Sequence, residues 1–161
     1  MNEKMLNALN EQINEELNSM YIYMAMAADL DEMGFGGMAH WMRKQAQEEQ
    51  VHAFKFQGYV KDRQGRVVFK AIPEPQTTWE SPLEIFKAAL AHEEYITGTI
   101  HKLVKLAREL DDIATEVFLN YFVTEQVEEE DSAHEVVDAL EKVGDSVGPL
   151  YQIDSWLRKR D

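Results

Sequence analysis

Apolar residues recur along most of the chain in alternating steps of three and four, the spacing of a helix that buries one stripe. From residue 3 to about 33 the stripe reads Leu6, Leu9, Ile13, Glu16, Met20, Tyr23, Ala27 and Leu30. Gly34-Phe35-Gly36-Gly37 interrupts it, because glycine tolerates the left-handed cap, and so short a break makes the next helix an antiparallel neighbour. The second stripe, over about 37–64, reads Met38, Met42, Gln45, Glu49, His52, Phe56 and Tyr59, with Gly65 as its stop. Ser81-Pro82-Leu83-Glu84 has the N-cap, first-turn proline and capping-box residue of a helix start. The helix it opens, 82–109, carries Leu83, Phe86, Leu90, Glu93, Thr97, Ile100 and Val104, and its Gly98 is read as a point of close packing. Leu110-Asp111-Asp112 supplies a turn and a new N-cap. The fourth helix, 112–142, carries Thr115, Leu119, Phe122, Gln126, Glu129, Ala133, Val136 and Leu140. After a Gly144–Gly148 break, Pro149 opens a short helix, 149–159, apolar at Leu150, Ile153, Trp156 and Leu157. It is too short to stand alone and must pack on the bundle or on another subunit.

Residues 65–80 have no helical period, and Pro73-Glu74-Pro75 excludes a helix there. Unstructured connections of this length need a geometric reason. A helix of about 28 residues spans roughly 42 Å, and about 16 extended residues reach some 50 Å. The segment can therefore run the full length of the bundle, leaving the second and third helices parallel. The expected fold is all-α: one domain, 1–161, with four long helices, a long crossover between the second and third, and a short fifth helix.

What sets these stripes apart is that each is interrupted near its middle by a carboxylate, namely Glu16, Glu49, Glu93 and Glu129. Midpoints of bundle helices meet at one level. No Lys or Arg lies in the stripes near them, and an unpaired buried charge is expensive. One such residue can snorkel to solvent, but all four at matched depth either share protons or hold metal. Glu49 and His52, three apart on a helix, point the same way, and Gln126-x-x-Glu129 echoes them. Carboxylate oxygens with a single imidazole suit iron or manganese. Unequal sites are expected: a better one at Glu16, Glu49 and His52 with Glu49 bridging, and a weaker one at Glu49 and Glu93, completed by Gln126 or Glu129.

Composition narrows the chemistry. Sixteen Lys and Arg against thirty Asp and Glu give a formal charge of −14, which repels nucleic acid and anionic lipid and attracts cations. The same acidity also serves to keep a large assembly soluble. The absence of cysteine removes disulfides, thiolate zinc sites, iron–sulfur clusters and cysteine nucleophiles. No apolar run approaches the roughly 20 residues of a membrane span, and a soluble, cytoplasmic protein is expected. All eight methionines fall within the first 42 positions, where Met at stripe spacing serves as core filler.

Four segments carry a resemblance across essentially the whole chain: Asn10-Glu11-Gln12-Ile13-Asn14-Glu15-Glu16, Gln47-Glu48-Glu49-Gln50-Val51-His52-Ala53, His92-Glu93-Glu94, and Thr124-Glu125-Gln126-Val127-Glu128-Glu129-Glu130. In order and separation they resemble the bacterial and archaeal non-haem ferritins. The resemblance implies an iron-storage ferroxidase, in which two Fe(II) bind the bundle centre, O2 or H2O2 oxidises them, and Fe(III) passes to a mineral inside a homo-oligomeric shell of two dozen subunits. Carried over, the centre is Glu16, Glu49, His52, Glu93 and Gln126, with Glu129 adjoining and Tyr23 as a supporting tyrosine that hydrogen-bonds a ligand or donates an electron. Glu48, Glu125 and Glu128 lie one position from the stripe. Spacing alone fits a solvated acidic face as well as a metal site, whereas the resemblance makes them, with Glu129, a third iron site. Gln50 stands where bacterioferritins have their haem-ligating Met, so no haem is expected. Tyr121 stands where many of these ferritins have Trp. His92, beside Glu93, is the one further histidine placed to support a ligand. The competing reading is a rubrerythrin-like di-iron peroxidase or oxidase without mineral, though zero cysteines exclude a fused rubredoxin-type site. A DNA-protecting mini-ferritin places iron between subunits and is disfavoured by the charge and the complete set within one chain.

Overall fold

The computed structural model describes residues 1–160, and among them there are five helices and no strand. Helix α1 is Glu3–Glu32, α2 Gly36–Asp62, α3 Pro82–Glu109, α4 Ile113–Val143 and α5 Val147–Leu157. The first four form a bundle in which α1 packs on α2 and α3 on α4. The ends are specified locally. Asn2 accepts from the Lys4 amide and Ser81 from the Glu84 amide, while Asp112 accepts from the Thr115 amide and hydroxyl. The α1–α2 turn places Gly34 at φ +86°, where a side chain is strained.

Two apolar clusters make the core. One joins Tyr23, Ala27 and Leu30 of α1 to Met38 and Met42 of α2, Phe86 of α3, and Val136 and Leu140 of α4. The other joins Met5, Leu9 and Ile13 to Phe56 and Val60, Ile100 and Val104, and Leu119 and Phe122. The first half of α2 thus sits with the first half of α3, so these two helices run parallel. Arg63 closes the far end, donating to Asp112 at 3.0 Å and to Tyr59 at 2.6 Å and tying α2 to α4.

The crossover achieves the parallel arrangement by lying along α1. The buried Asn10 donates to the Arg66 carbonyl at 3.0 Å and accepts from the Val68 amide at 2.8 Å. Asn14 accepts from the Lys70 amide, and Asp29, near the other end of α1, accepts from the Trp79 amide at 2.9 Å. These side chains pin the extended backbone to α1 along its length, in place of the water that its polar groups would otherwise meet.

Three local expectations are corrected. Gly65 does not itself stop α2, which ends at Asp62 with Gln64 in the left-handed conformation at φ 58°; a Cβ on Gly65 would lie 2.6 Å from the end of the Leu6 side chain, so the chain passes close to α1 there. Gly98 is no packing point within the chain, since a Cβ there would meet nothing within 4 Å. Helix α5 begins at Val147 rather than Pro149, and it buries Ile153 and Leu157 while leaving Trp156 40% exposed.

Beside the apolar contacts of Ile153 and Leu157, one polar residue fixes where α5 docks. No side chain caps α2 from its own flank. The buried Asp154 does so from α5, accepting from the Gly37 amide at 2.7 Å and the Met38 amide at 2.9 Å. A carboxylate there also meets the positive end of the helix dipole. The approach is so close that a Cβ on Gly37 would fall 1.8 Å from the Asp154 carbonyl oxygen.

Candidate metal centre

Between the two apolar clusters lies a polar layer formed by all four long helices. Glu16, Glu49 and Glu93 are each 1% exposed, His52 3%, Gln126 4% and Glu129 7%. The stripes explain why they converge: each residue occupies a core position on its helix, with apolar residues one or two turns away on either side. Tyr23 is fully buried beside them. Glu48 and Glu125 are half-buried and Glu128 is exposed, so these three stand at the rim.

Hydrogen bonds hold most of the layer in place. Gln12 donates to Glu16 Oε1 at 2.8 Å. The Tyr23 hydroxyl donates to Glu93 Oε1, and Gln126 donates to Glu93 Oε2 at 3.0 Å, with Thr97 Oγ1 also within reach at 3.3 Å. Gln45 donates to Glu129 Oε2 at 2.7 Å. On the far side of Tyr23, His92 Nε2 meets the Ser19 hydroxyl at 2.7 Å, and its ring lies edge-on to Tyr23.

Glu49 is the exception. Both of its carboxylate oxygens are buried with no hydrogen-bond partner among the described residues, and Glu16 Oε2 is likewise unpaired. The Glu16 and Glu49 carboxyls are close enough to share a proton, but as carboxylates neither can donate. Among the described residues the basic side chain within 4.0 Å of them is His52, whose Nδ1 lies 4.0 Å from Glu16 Oε2 and 3.8 Å from Glu49 Oε2. Unsatisfied oxygens in a dry interior are rare and call for a ligand.

The electrostatics follow from this crowding. Burial first, and then the Glu49 charge, pushes the Glu16 carboxyl well above the usual carboxylate range. Burial and the Glu93 charge do the same to Glu49, and burial raises Glu93 despite its hydrogen bonds from Tyr23 and Gln126. Glu129 is raised to about 7 by burial and Glu93. Burial and the Glu93 and Glu49 charges hold Tyr23 in its protonated form. His92 is lowered to about 4 by burial alone, so it stays neutral.

Two sets of donor atoms lie within 4.8 Å of one another and can each hold a cation: Glu16, Glu49 and His52, and then His52, Glu125 and Glu129. His52 presents Nδ1 to the first set and Nε2 to the second, where Glu125 Oε2 is 3.7 Å away. Glu93 belongs to neither set; it faces the same layer from α3, held by Tyr23 and Gln126. Glu48 also belongs to neither set and accepts from Arg160 Nη2 at 2.8 Å. Residues 6–143 match the family of ferritin-like domains named Ferritin. The chain belongs to the ferritin family.

This ferritin is 41% identical over 160 residues to the bacterial non-heme ferritin of Staphylococcus saprophyticus, covering 99% of this chain and 96% of that one. It is 40% identical to the bacterial non-heme ferritin of Bacteroides fragilis, covering 99% of each. Its fold superposes on that of an open-pore ferritin from the hyperthermophilic archaeon Archaeoglobus fulgidus with a TM-score of 0.99, at 43% identity and with 100% and 99% of the two chains covered. Sequence reasoning placed Thr97 in the α3 stripe without giving it a role, and it did not single out Gln12 or Ser19. Gln12 and Ser19 lie on the buried side of α1 just outside the stripe, and nothing in their spacing separates a polar residue that supports a ligand from one on the surface.

Proposed function

We propose that this ferritin is an iron-storage ferroxidase whose two Fe(II) substrates are bound in the polar layer and share Glu49. The observation that carries the proposal is the pair of unpartnered Glu49 oxygens at the centre of four buried carboxylates. Four carboxylate charges balance two divalent cations, and oxygen donors with one imidazole suit both oxidation states of iron. Glu16 and His52 complete one position with Glu49. Glu93 faces Glu49 from α3 and completes the other, with Gln126 and Glu129 adjoining.

The chain's own groups define what happens next. Tyr23 and Gln126 fix the Glu93 carboxylate, and Gln12 fixes Glu16, so that the donors are held before the ions arrive. The raised carboxyl pKa values mean that Fe(II) entry expels protons. Each Fe(II) gives up one electron, and two together reduce O2 to the peroxide level; H2O2 serves as an alternative two-electron acceptor. Fe(III) then leaves along His52, Glu125 and Glu129 toward Glu48 and Glu128, a third iron site at the rim, and is stored as mineral in a hollow shell of two dozen copies. Gln50 is exposed and offers no haem ligand beside Glu49. Zero cysteines, and the lack of any helix among the described residues long and apolar enough to cross a membrane, support a cytoplasmic setting.

Aerobic Fe(II) addition to protein stripped with a chelator, followed by size and iron analysis, tests the reading. A large particle that becomes iron-filled, with dioxygen consumed, supports storage. A monomer or dimer that turns over peroxide without retaining iron contradicts it.

A further inference from the structure

The last described residue of the chain reaches the rim of the centre. Arg160 Nη2 donates to Glu48 Oε2 at 2.8 Å, its guanidinium lies 4.5 Å from the Trp41 ring centroid, and its carbonyl oxygen is 2.8 Å from His40 Nε2. Asp154 anchors the preceding helix on the start of α2, which fixes where the tail emerges. Glu48 also lines a surface cavity of about 310 Å³ together with Glu125, Tyr121 and His52, so it borders the route by which His52 meets solvent.

We infer that Arg160 is a built-in competitor for iron at this rim: its guanidinium occupies Glu48 Oε2 until a cation displaces it. With the guanidinium on Oε2, a metal ion on either oxygen of the same carboxylate brings two cations together, so each weakens the hold of the other. Stacking on Trp41 gives the displaced guanidinium a place to remain, so exchange needs no unfolding of the tail. Arg160 acts through Glu48 and touches neither Glu49 nor Glu16; it sets how tightly the outermost ion is held, and hence how readily iron leaves for the mineral. The inference rests on Glu48 being an iron ligand, as proposed above.

Zn(II) titration of the assembled, chelator-treated protein by calorimetry separates the two claims. Glu48→Gln must weaken or remove the weakest class of Zn(II) site. Arg160→Gln must tighten that class by about two- to fivefold, the worth of one partly exposed ion pair, with Arg160→Lys in between. In the double variant the Arg160 effect must vanish. Zn(II) must also change Trp41 fluorescence in the wild type but not in Arg160→Gln, measured with Trp79 and Trp156 replaced by Phe. If Glu48→Gln weakens the site while Arg160→Gln leaves it unchanged, the competitor role is overturned and the site stands. If Glu48→Gln has no effect, both are overturned.

Discussion

Glu49→Gln should stabilise the metal-free protein and abolish its function at once. The wild-type side chain must either bury a charge with no partner or take up a proton in the fold, with the Glu93 charge adding to the cost of burial. An amide of the same shape carries no charge, and its NH2 group can donate to the unpaired Glu16 Oε2. An unsatisfied buried polar group costs about 1–3 kcal/mol, and more when charged. A gain of about 2 kcal/mol is therefore expected near neutral pH, or a rise in Tm of about 4–8 °C for a domain of this size. The gain should shrink toward pH 4.5, the ordinary carboxylate value, where wild-type Glu49 is protonated in the fold at little cost. Removing the shared ligand should slow the fast phase of Fe(II) oxidation by more than about a hundredfold, since even outer partners of metal ligands are worth about 10- to 100-fold. Calorimetry at one scan rate and stopped-flow absorbance on the same assembled samples make the comparison. Zn(II) should raise the Tm of the wild type and leave that of the variant nearly unchanged, by mass action on the bound state. A variant that is less stable than wild type without metal and oxidises Fe(II) at the normal rate would refute the reasoning on both counts.

Other consequences are equally direct. His52→Ala should remove the fast phase while leaving a folded, assembled protein, because the imidazole contributes only part of an aromatic group with Phe122 and Tyr121; unchanged stopped-flow kinetics would rule out its role. Glu128→Ala should retain the fast phase and alter the iron-to-oxygen stoichiometry, measured by oxygen electrode, and loss of the fast phase would merge the rim with the centre. Carboxyls whose folded pKa is raised stabilise the fold fully below the unfolded value, and that contribution is lost as pH rises through the folded one. The buried Glu residues, with Glu129 near 7, should therefore make metal-free stability fall between about pH 5 and about pH 8. A Tm that rises across that window would contradict the burial account. Asp154→Ala should cost about 1 kcal/mol through the lost cap on α2, and amide exchange at Gly37 and Met38 should accelerate; unchanged protection would show that α5 docks by its apolar face alone.

The bundle and its polar layer were readable because both depend on period. A carboxylate at a stripe position is displayed by the sequence itself, so Glu16, Glu49, Glu93 and Glu129 could be placed at one depth from spacing alone. What spacing could not show were contacts between residues far apart in the chain. Asn10 looks like any helix-surface amide until the crossover returns to it, and Glu48 looks solvated until Arg160 arrives. Asp154 was overlooked because α5 was read only for its apolar residues. A signal existed, since Gly34-Phe35-Gly36-Gly37 offers no Ser, Thr, Asp or Asn to cap α2, and such an end needs an acceptor from elsewhere. The stop of α2 was read from its glycine for a related reason, although Gln64 takes the positive φ there, at 58°; the Leu110-Asp111-Asp112 turn after α3 was placed correctly, with Asp111 at φ 50°.

Everything proposed for the centre depends on Glu49 being shared by two ions. Crystals soaked anaerobically in Fe(II), with data collected on either side of the iron absorption edge, locate iron by its own scattering. Two anomalous peaks are predicted in the buried layer, one touching Glu16 and His52 and one touching Glu93, with one Glu49 oxygen toward each. Iron bound only at the rim, or a buried ion that leaves both Glu49 oxygens free, would contradict it.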